Sequence, residues 1–187
     1  MNEVLKTIKE RFSCRDYAET PLTGEQIDRL AEAALASPSA RNIQPWRVII
    51  VTDKTLVDEI DAEGVRIMSS DKDDRYDFGR ISSRGGKMFY NAPCLVIIAA
   101  DPGASNYVQV DCGILAENIV LAAGSLGLGS TVCGMAGIPL SGPRGDELKK
   151  RLCFPEGCRF VISVLVGTAK NSAEPHEPDR GKVTFIN

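Results

Sequence analysis

Ser37-Pro38-Ser39-Ala40-Arg41-Asn42-Ile43-Gln44-Pro45-Trp46 joins an amphipathic helix directly to a β-branched strand, Arg47-Val48-Ile49-Ile50-Val51. Helix and strand on either side of one connection make this a mixed α and β chain. The prolines fix their own φ and restrict the residues before them, so the connection is stiff. It gathers small hydroxyl residues, a carboxamide pair and the only tryptophan of the chain. Solubility does not require that mixture. A rigid loop carrying amides, hydroxyls and an indole suits recognition of a flat polar ring.

Working outward, periodicity sets the other elements. Glu3 to Glu10 reads as a short helix with Val4, Leu5 and Ile8 on one side. Thr23 and Gln26 form a capping-box pair that opens the helix before the loop. A third helix begins near Leu56, and the charged stretch Ser69 to Asp77 reads as a mobile surface segment. Ile81 to Tyr90 reads as a helix. Cys94 to Ala100 is a continuous apolar strand, buried on both faces. The helix from about Tyr107 to Leu126 is apolar nearly all round, which places it through the core. Gly127-Leu128-Gly129 ends it, and strands follow over Ser130 to Cys133 and Arg159 to Gly167, with a helix near Asp146 to Leu152 between them. Val183 to Ile186 reads as a final strand with no hairpin partner nearby. No linker or repeat divides the 187 residues, so they read as a single domain.

Composition excludes several functions. A net charge of −3 lacks the basic footprint of a nucleic-acid binder. No apolar run is long enough for a membrane helix, and the N-terminus lacks a signal peptide's apolar region. The six cysteines (Cys14, Cys94, Cys112, Cys133, Cys153 and Cys158) have no CxxC spacing and read as reduced thiols of a cytoplasmic protein. His176 is the only histidine and lies in a proline-bearing tail, which removes histidine-based nucleophilic catalysis and zinc ligation. The glycines at 124, 127 and 129 follow a helix instead of opening one, so they are no dinucleotide fingerprint. A chain without its own nucleophile or metal commonly lets a cofactor carry the chemistry.

Arg11-Phe12-Ser13-Cys14-Arg15 supplies what an anionic cofactor needs. Arginine forks match phosphate oxygens, and the two guanidinium groups meet on one side if the first helix continues. Taken alone, the same residues read more readily as solvated cations at a helix C-terminus, where cations are favoured anyway. Trp46 likewise reads as a packing anchor, and Gly127 and Gly129 as helix stops.

As an ordered set these stretches resemble the nitroreductase family of flavin-mononucleotide (FMN) enzymes. Arg11-x-Ser13-x-Arg15 resembles its opening signature, and Ser37 to Trp46 its second. Asn91-Ala92-Pro93 before a strand, and Ala116-Glu117-Asn118 running to Gly129, are similar to its middle segment and long central helix. The resemblance implies an α+β fold with a central, mostly antiparallel or mixed sheet flanked by helices. It further implies a homodimer whose C-terminal strand is exchanged with the partner, and FMN at the subunit interface.

On matching residues, Arg11 and Ser13, flanking Phe12, would hold the flavin phosphate, and Arg15 and Lys87 would lie near the N1–C2 edge. Pro38, Ser39, Ala40, Asn42 and Gln44 would reach the partner's flavin. Thr131, Val132, Cys133 and Gly134 would pass the N5 edge, and Arg180 and Lys182 would close the phosphate site. Phe12 departs from a position that is often basic in the family. Arg84 stands where a carboxamide often meets the ring. The implied activity is ping-pong transfer of hydride from NAD(P)H through the flavin to a nitroaromatic, quinone or similar small electron-poor acceptor. FMN storage or sensing without turnover is the alternative, as are other flavin reactions such as reductive dehalogenation or flavin breakdown.

Overall fold

Four short apolar runs build one sheet in the computed structural model, which describes residues 2–71, 76, 78–83 and 85–186. The strands are β1 (Trp46–Val51), β2 (Cys94–Ala100), β3 (Gly129–Cys133) and β4 (Arg159–Gly167). They lie in the order β1-β2-β4-β3, and every pairing is antiparallel. Side chains alternate between the faces of a strand, and here that alternation divides the core in two. Leu95, Ile97 and Leu165 face one cluster, while Val96, Ile98, Val164 and Val166 face the other. The central strand β2 is buried along its whole length, as its unbroken apolar run predicts. Full burial of a leucine or isoleucine contributes about 1.5–3 kcal/mol, so this three-layer arrangement dominates the stability.

Helices cover both faces. On the first lie α3 (Lys54–Ser69), α6 (Gly137–Leu140) and α7 (Gly145–Arg151), with the short α4 (Phe78–Ser82) nearby. On the second lie α2 (Gly24–Leu35) and α5 (Val108–Ser125). The capping box of α2 forms as the sequence predicts, with Thr23 accepting from the Gln26 amide and Gln26 from the Thr23 amide. The exit of α5 is also as expected. Gly127 takes φ 71°, and the Leu128 and Gly127 amides donate back to the Ala123 and Gly124 carbonyls, a Schellman stop.

Four expectations change. The helix over Ile81 to Tyr90 is replaced by α4, which ends at Ser82. Gly85 and Gly86 follow with positive φ, and Tyr90 and Asn91 are left-handed too. The Met88 and Phe89 amides donate to the Asp61 carboxylate instead of to a helical turn. Secondly, α1 (Glu3–Glu10) stops before Arg11, which is extended, so Arg11 and Arg15 do not share a helical face. Thirdly, α5 is buried on one side only, because Val110 and Ile114 remain 58% and 37% exposed. Finally, Val183 to Ile186 form no strand within the chain. A strand needs a neighbour's backbone, and none of the described residues supplies one; Phe185 is 82% exposed. Residues 72–75 and 77 of the charged segment lie outside the described residues.

Candidate functional site

The segment after α1 is fixed against the edge of the sheet. Ser13 bridges Ser130 in parallel, and the Cys14 amide donates to the Ser130 carbonyl at 2.9 Å. The Thr131 hydroxyl and the buried Tyr17 hydroxyl both donate to the Cys14 carbonyl. Further along, Ala18 donates to Thr168, and Lys170 donates back to Asp16. This rail extends the sheet beyond β3. Gly129 permits it, since a Cβ there would stand 2.9 Å from both Cys14 and Ala169. Burial pushes the thiols of Cys14 and Cys133 above their ordinary range, so neither is a ready nucleophile.

From this seam the cationic side chains project outward. Arg11 and Phe12 line a cavity of about 420 Å3 beside Gly129 and Ser130. Arg11 pairs with Glu117 at 3.7 Å across a half-exposed gap, a weak contact by its geometry and solvation. Arg15 and Lys87 line a second cavity, of about 550 Å3, with Tyr90 and Asn91. Lys87 lies 3.7 Å from Asp58. Asp61 holds the backbone that follows Lys87: it is buried, and its Oδ1 accepts the Met88 and Phe89 amides at 2.7 and 3.1 Å. Burial raises the Asp61 carboxyl above the usual carboxylate value.

The remaining residues of β3 sit as a sheet edge dictates. Thr131 and Cys133 are buried, whereas Val132 is 46% exposed and lines a large cavity beside β4. The Ser163 hydroxyl donates to the Cys133 carbonyl, and the Gly134 carbonyl accepts from Gly137 at the start of α6.

The Ser37–Trp46 loop is stiff for reasons beyond its prolines. Arg41, Asn42 and Gln44 all have φ near 50°, a left-handed conformation costly for side chains other than glycine. The Gln44 amide donates to the Ser39 hydroxyl at 2.9 Å, and the Gln44 carboxamide donates to Asn42 Oδ1. Trp46 is buried in the core, so the packing role is the one it takes. From α5, Asn118 donates to the Ser37 hydroxyl and the Ala33 carbonyl, and Asp111 accepts the Ala40 amide at 3.0 Å. Pro38, Ser39 and Ala40 border a small cavity with Tyr107, Asp111 and Ile114, while Gln44 borders another with Trp46 and Arg47.

The structure therefore joins Ser13 and Cys14 to β3 and brings Arg15 and Lys87 to one cavity, with Arg11 and Phe12 at a neighbouring one; Pro38, Ser39 and Ala40 border a further cavity and Gln44 another. Arg180 and Lys182 lie exposed in a 3-10 turn, where Lys182 approaches Asp179 at 4.0 Å. Among the described residues no hydrogen bond or ion pair joins either to the Arg11–Arg15 segment. Arg84 lies outside the described residues. Asp61 and Asp111 are supports that the sequence patterns did not single out. Asp111 carried a signal, as an acid set in an apolar stretch of helix, whereas Asp61 sits among Asp58, Glu59 and Glu63 and carried none. Among the described residues no cluster of three or more His, Cys, Asp or Glu side chains could hold a metal, and no helix is long and apolar enough to cross a membrane.

Comparison with known proteins points one way. The profile of the nitroreductase family matches residues 8–168. A protein of Archaeoglobus fulgidus, provisionally named an NADH dehydrogenase/NAD(P)H nitroreductase, is 32% identical over 96% of this chain and 92% of its own. The FMN reductase [NAD(P)H] of Bacillus subtilis is 28% identical, spanning all of this chain and 76% of its own. A nitroreductase of Desulfitobacterium hafniense, solved with bound FMN, is 45% identical with a TM-score of 0.95 over the full length of both chains.

Proposed function

The chain belongs to the nitroreductase family, and from that premise we propose an FMN-dependent NAD(P)H oxidoreductase that acts as a homodimer on small electron-poor acceptors. The observation that carries the proposal is the convergence of two cations, Arg15 and Lys87, on one cavity beside the fixed Arg11–Ser13 segment. The donor set fits FMN. Arg11 and Ser13 offer a guanidinium and a hydroxyl to a phosphate, and Arg15 and Lys87 offer positive charge to a ring edge that becomes negative on reduction. FMN, when bound, supplies two-electron transfer, with the nicotinamide and the acceptor using one site in turn. The chain's residues orient, neutralise and exclude water.

The second half of the site comes from a second copy. Val4, Leu5 and Ile8 on α1 and Val110 and Ile114 on α5 are apolar and exposed, more than an isolated chain ordinarily leaves in water. Joining two copies would cover these faces, bring Pro38 to Gln44 to the partner's flavin, and give Val183 to Ile186 a backbone to pair with. Arg180 and Lys182 would then close the phosphate site. Residues 1–187 would act as one flavin-binding unit. Six unpaired cysteines support a reducing, cytoplasmic setting.

Arg11→Ala tests the assignment. FMN affinity should fall about ten- to hundredfold, and a variant as yellow as the parent would sink it. Anaerobic mixing with reduced nicotinamide should bleach the bound flavin and initial-rate lines should be parallel. An unbleached flavin would mean storage without turnover.

A further inference from the structure

Three positions spaced three apart on α3 meet the segment that carries Lys87, and residues at that spacing are neighbours on one helix face. Asp58 lies 3.7 Å from the Lys87 ammonium and also pairs with Lys54. Asp61 is 4% exposed and accepts the Met88 and Phe89 amides on one oxygen. Gly64 is the socket for Met88, since a Cβ there would collide with the Met88 thioether. The segment needs this support, because Gly85, Gly86, Tyr90 and Asn91 on either side all take positive φ. Its far end is clipped to the sheet-edge seam, where the Tyr17 amide donates to the Tyr90 carbonyl at 3.3 Å. Arg15 and Lys87, two and three residues before that bond, line the same cavity.

We propose that Asp61 is a positioning residue that sets the redox balance of the flavin: by fixing the backbone after Lys87 it holds that ammonium at the cavity shared with Arg15, which favours the reduced ring over the oxidised one. Asp58 assists at the ammonium and Gly64 at Met88. A lysine on an unsupported chain would relax into water. A fixed one stays where negative charge develops and needs no reorganisation there. The inference rests on the FMN reading above and adds to it the groups that place its ring-edge cation.

Asp61→Ala, Lys87→Gln and the double variant, each the full chain loaded with FMN, separate positioning from stability. The readout is the two-electron midpoint potential, measured by anaerobic equilibration with redox dyes. Lys87→Gln should lower the affinity for reduced relative to oxidised flavin about tenfold, a fall of about 30 mV. Asp61→Ala should lower that ratio about three- to tenfold, or about 15–30 mV, in the parent background. In the Lys87→Gln background the same change should move it by less than about twofold. Asp61→Asn keeps an oxygen for both amides and should stay within about twofold of the parent. No shift in Asp61→Ala, or an equal shift with and without Lys87, would overturn the proposal, because Asp61 would not act through that ammonium. If Asp61→Ala does not fold, Gly64→Ala displaces Met88 from the same face of α3 and decides in its place. It should lower the ratio about twofold or more, and a fall that persists without Lys87, or no fall, would again overturn the proposal. An unchanged potential in Lys87→Gln removes the proposal and leaves FMN binding standing. A parent protein that does not bind FMN removes both.

Discussion

The seam between Ser13–Ala18 and the sheet and the loop from Ser37 to Trp46 both carry residues assigned to the flavin, yet they are built in opposite ways. The seam is closed by backbone pairing, by two hydroxyls on the Cys14 carbonyl and by a glycine that lets neighbouring segments of the chain touch. The loop is held by single contacts from Asn118 and Asp111, contains three left-handed residues, and borders an apolar surface. One region is closed by the chain's own contacts; the other leaves an apolar border that a second copy would complete in the proposed dimer. On that proposal, the loop residues lie away from the Arg11–Arg15 segment within one chain because they serve the partner's site.

The comparison breaks most visibly at Gly129. Gly129→Ala forces a Cβ against Cys14 and Ala169 at 2.9 Å, and such overpacking costs about 1–3 kcal/mol. The melting temperature should fall by roughly 2–12 °C, with hydrogen exchange accelerated at residues 13–18. An unchanged melt would mean that the seam is looser than its hydrogen bonds imply. Asn118→Leu acts on the other region. Loss of its bonds to Ser37 and Ala33 should cost about 1 kcal/mol and lower FMN affinity, while the exchange of residues 13–18 stays as in the parent. Equal effects on both regions would erase the distinction drawn between them.

The smallest effect is a pH dependence under Lys87. Burial raises the Asp61 carboxyl, so the folded state holds that proton more tightly than the unfolded chain. Stability from this group is then fully present below the usual carboxylate value of 3.8, and it is lost as pH rises through the higher folded value. Asp61→Asn keeps an acceptor for the Met88 and Phe89 amides and removes the titration. Urea midpoints of parent and variant, compared between about pH 4 and pH 7, should show the parent losing ground to the variant as pH rises. Parallel curves would contradict a buried, titrating Asp61.

Much of the fold was legible because its signals are local. The apolar run of Cys94 to Ala100, the Thr23–Gln26 box and the glycine stop after α5 each state their geometry within a few residues. Order along the chain then made the family readable from Arg11 to Arg15 and Ser37 to Trp46. The rest depends on contacts distant in sequence. Nothing near Met88 says that its amide will turn to Asp61 instead of continuing a helix. The apolar circumference of α5 reads as burial in the core, yet Val110 and Ile114 are exposed, because a helix that is apolar nearly all round does not say which of its sides the sheet will cover. Asp111 lies 71 positions from Ala40, so only the folded chain joins them.

The central claim, that one chain holds a finished half of the site and lends an unfinished half to its partner, is tested most directly by placing charge on the exposed face of α5. Ile114→Asp combined with Val110→Asp should give a folded monomer by sedimentation, with Trp46 fluorescence as in the parent. That monomer should bind FMN at least about a hundredfold more weakly although every residue proposed to touch the flavin is unchanged. A monomer that keeps its yellow FMN at the parent's affinity would contradict the account.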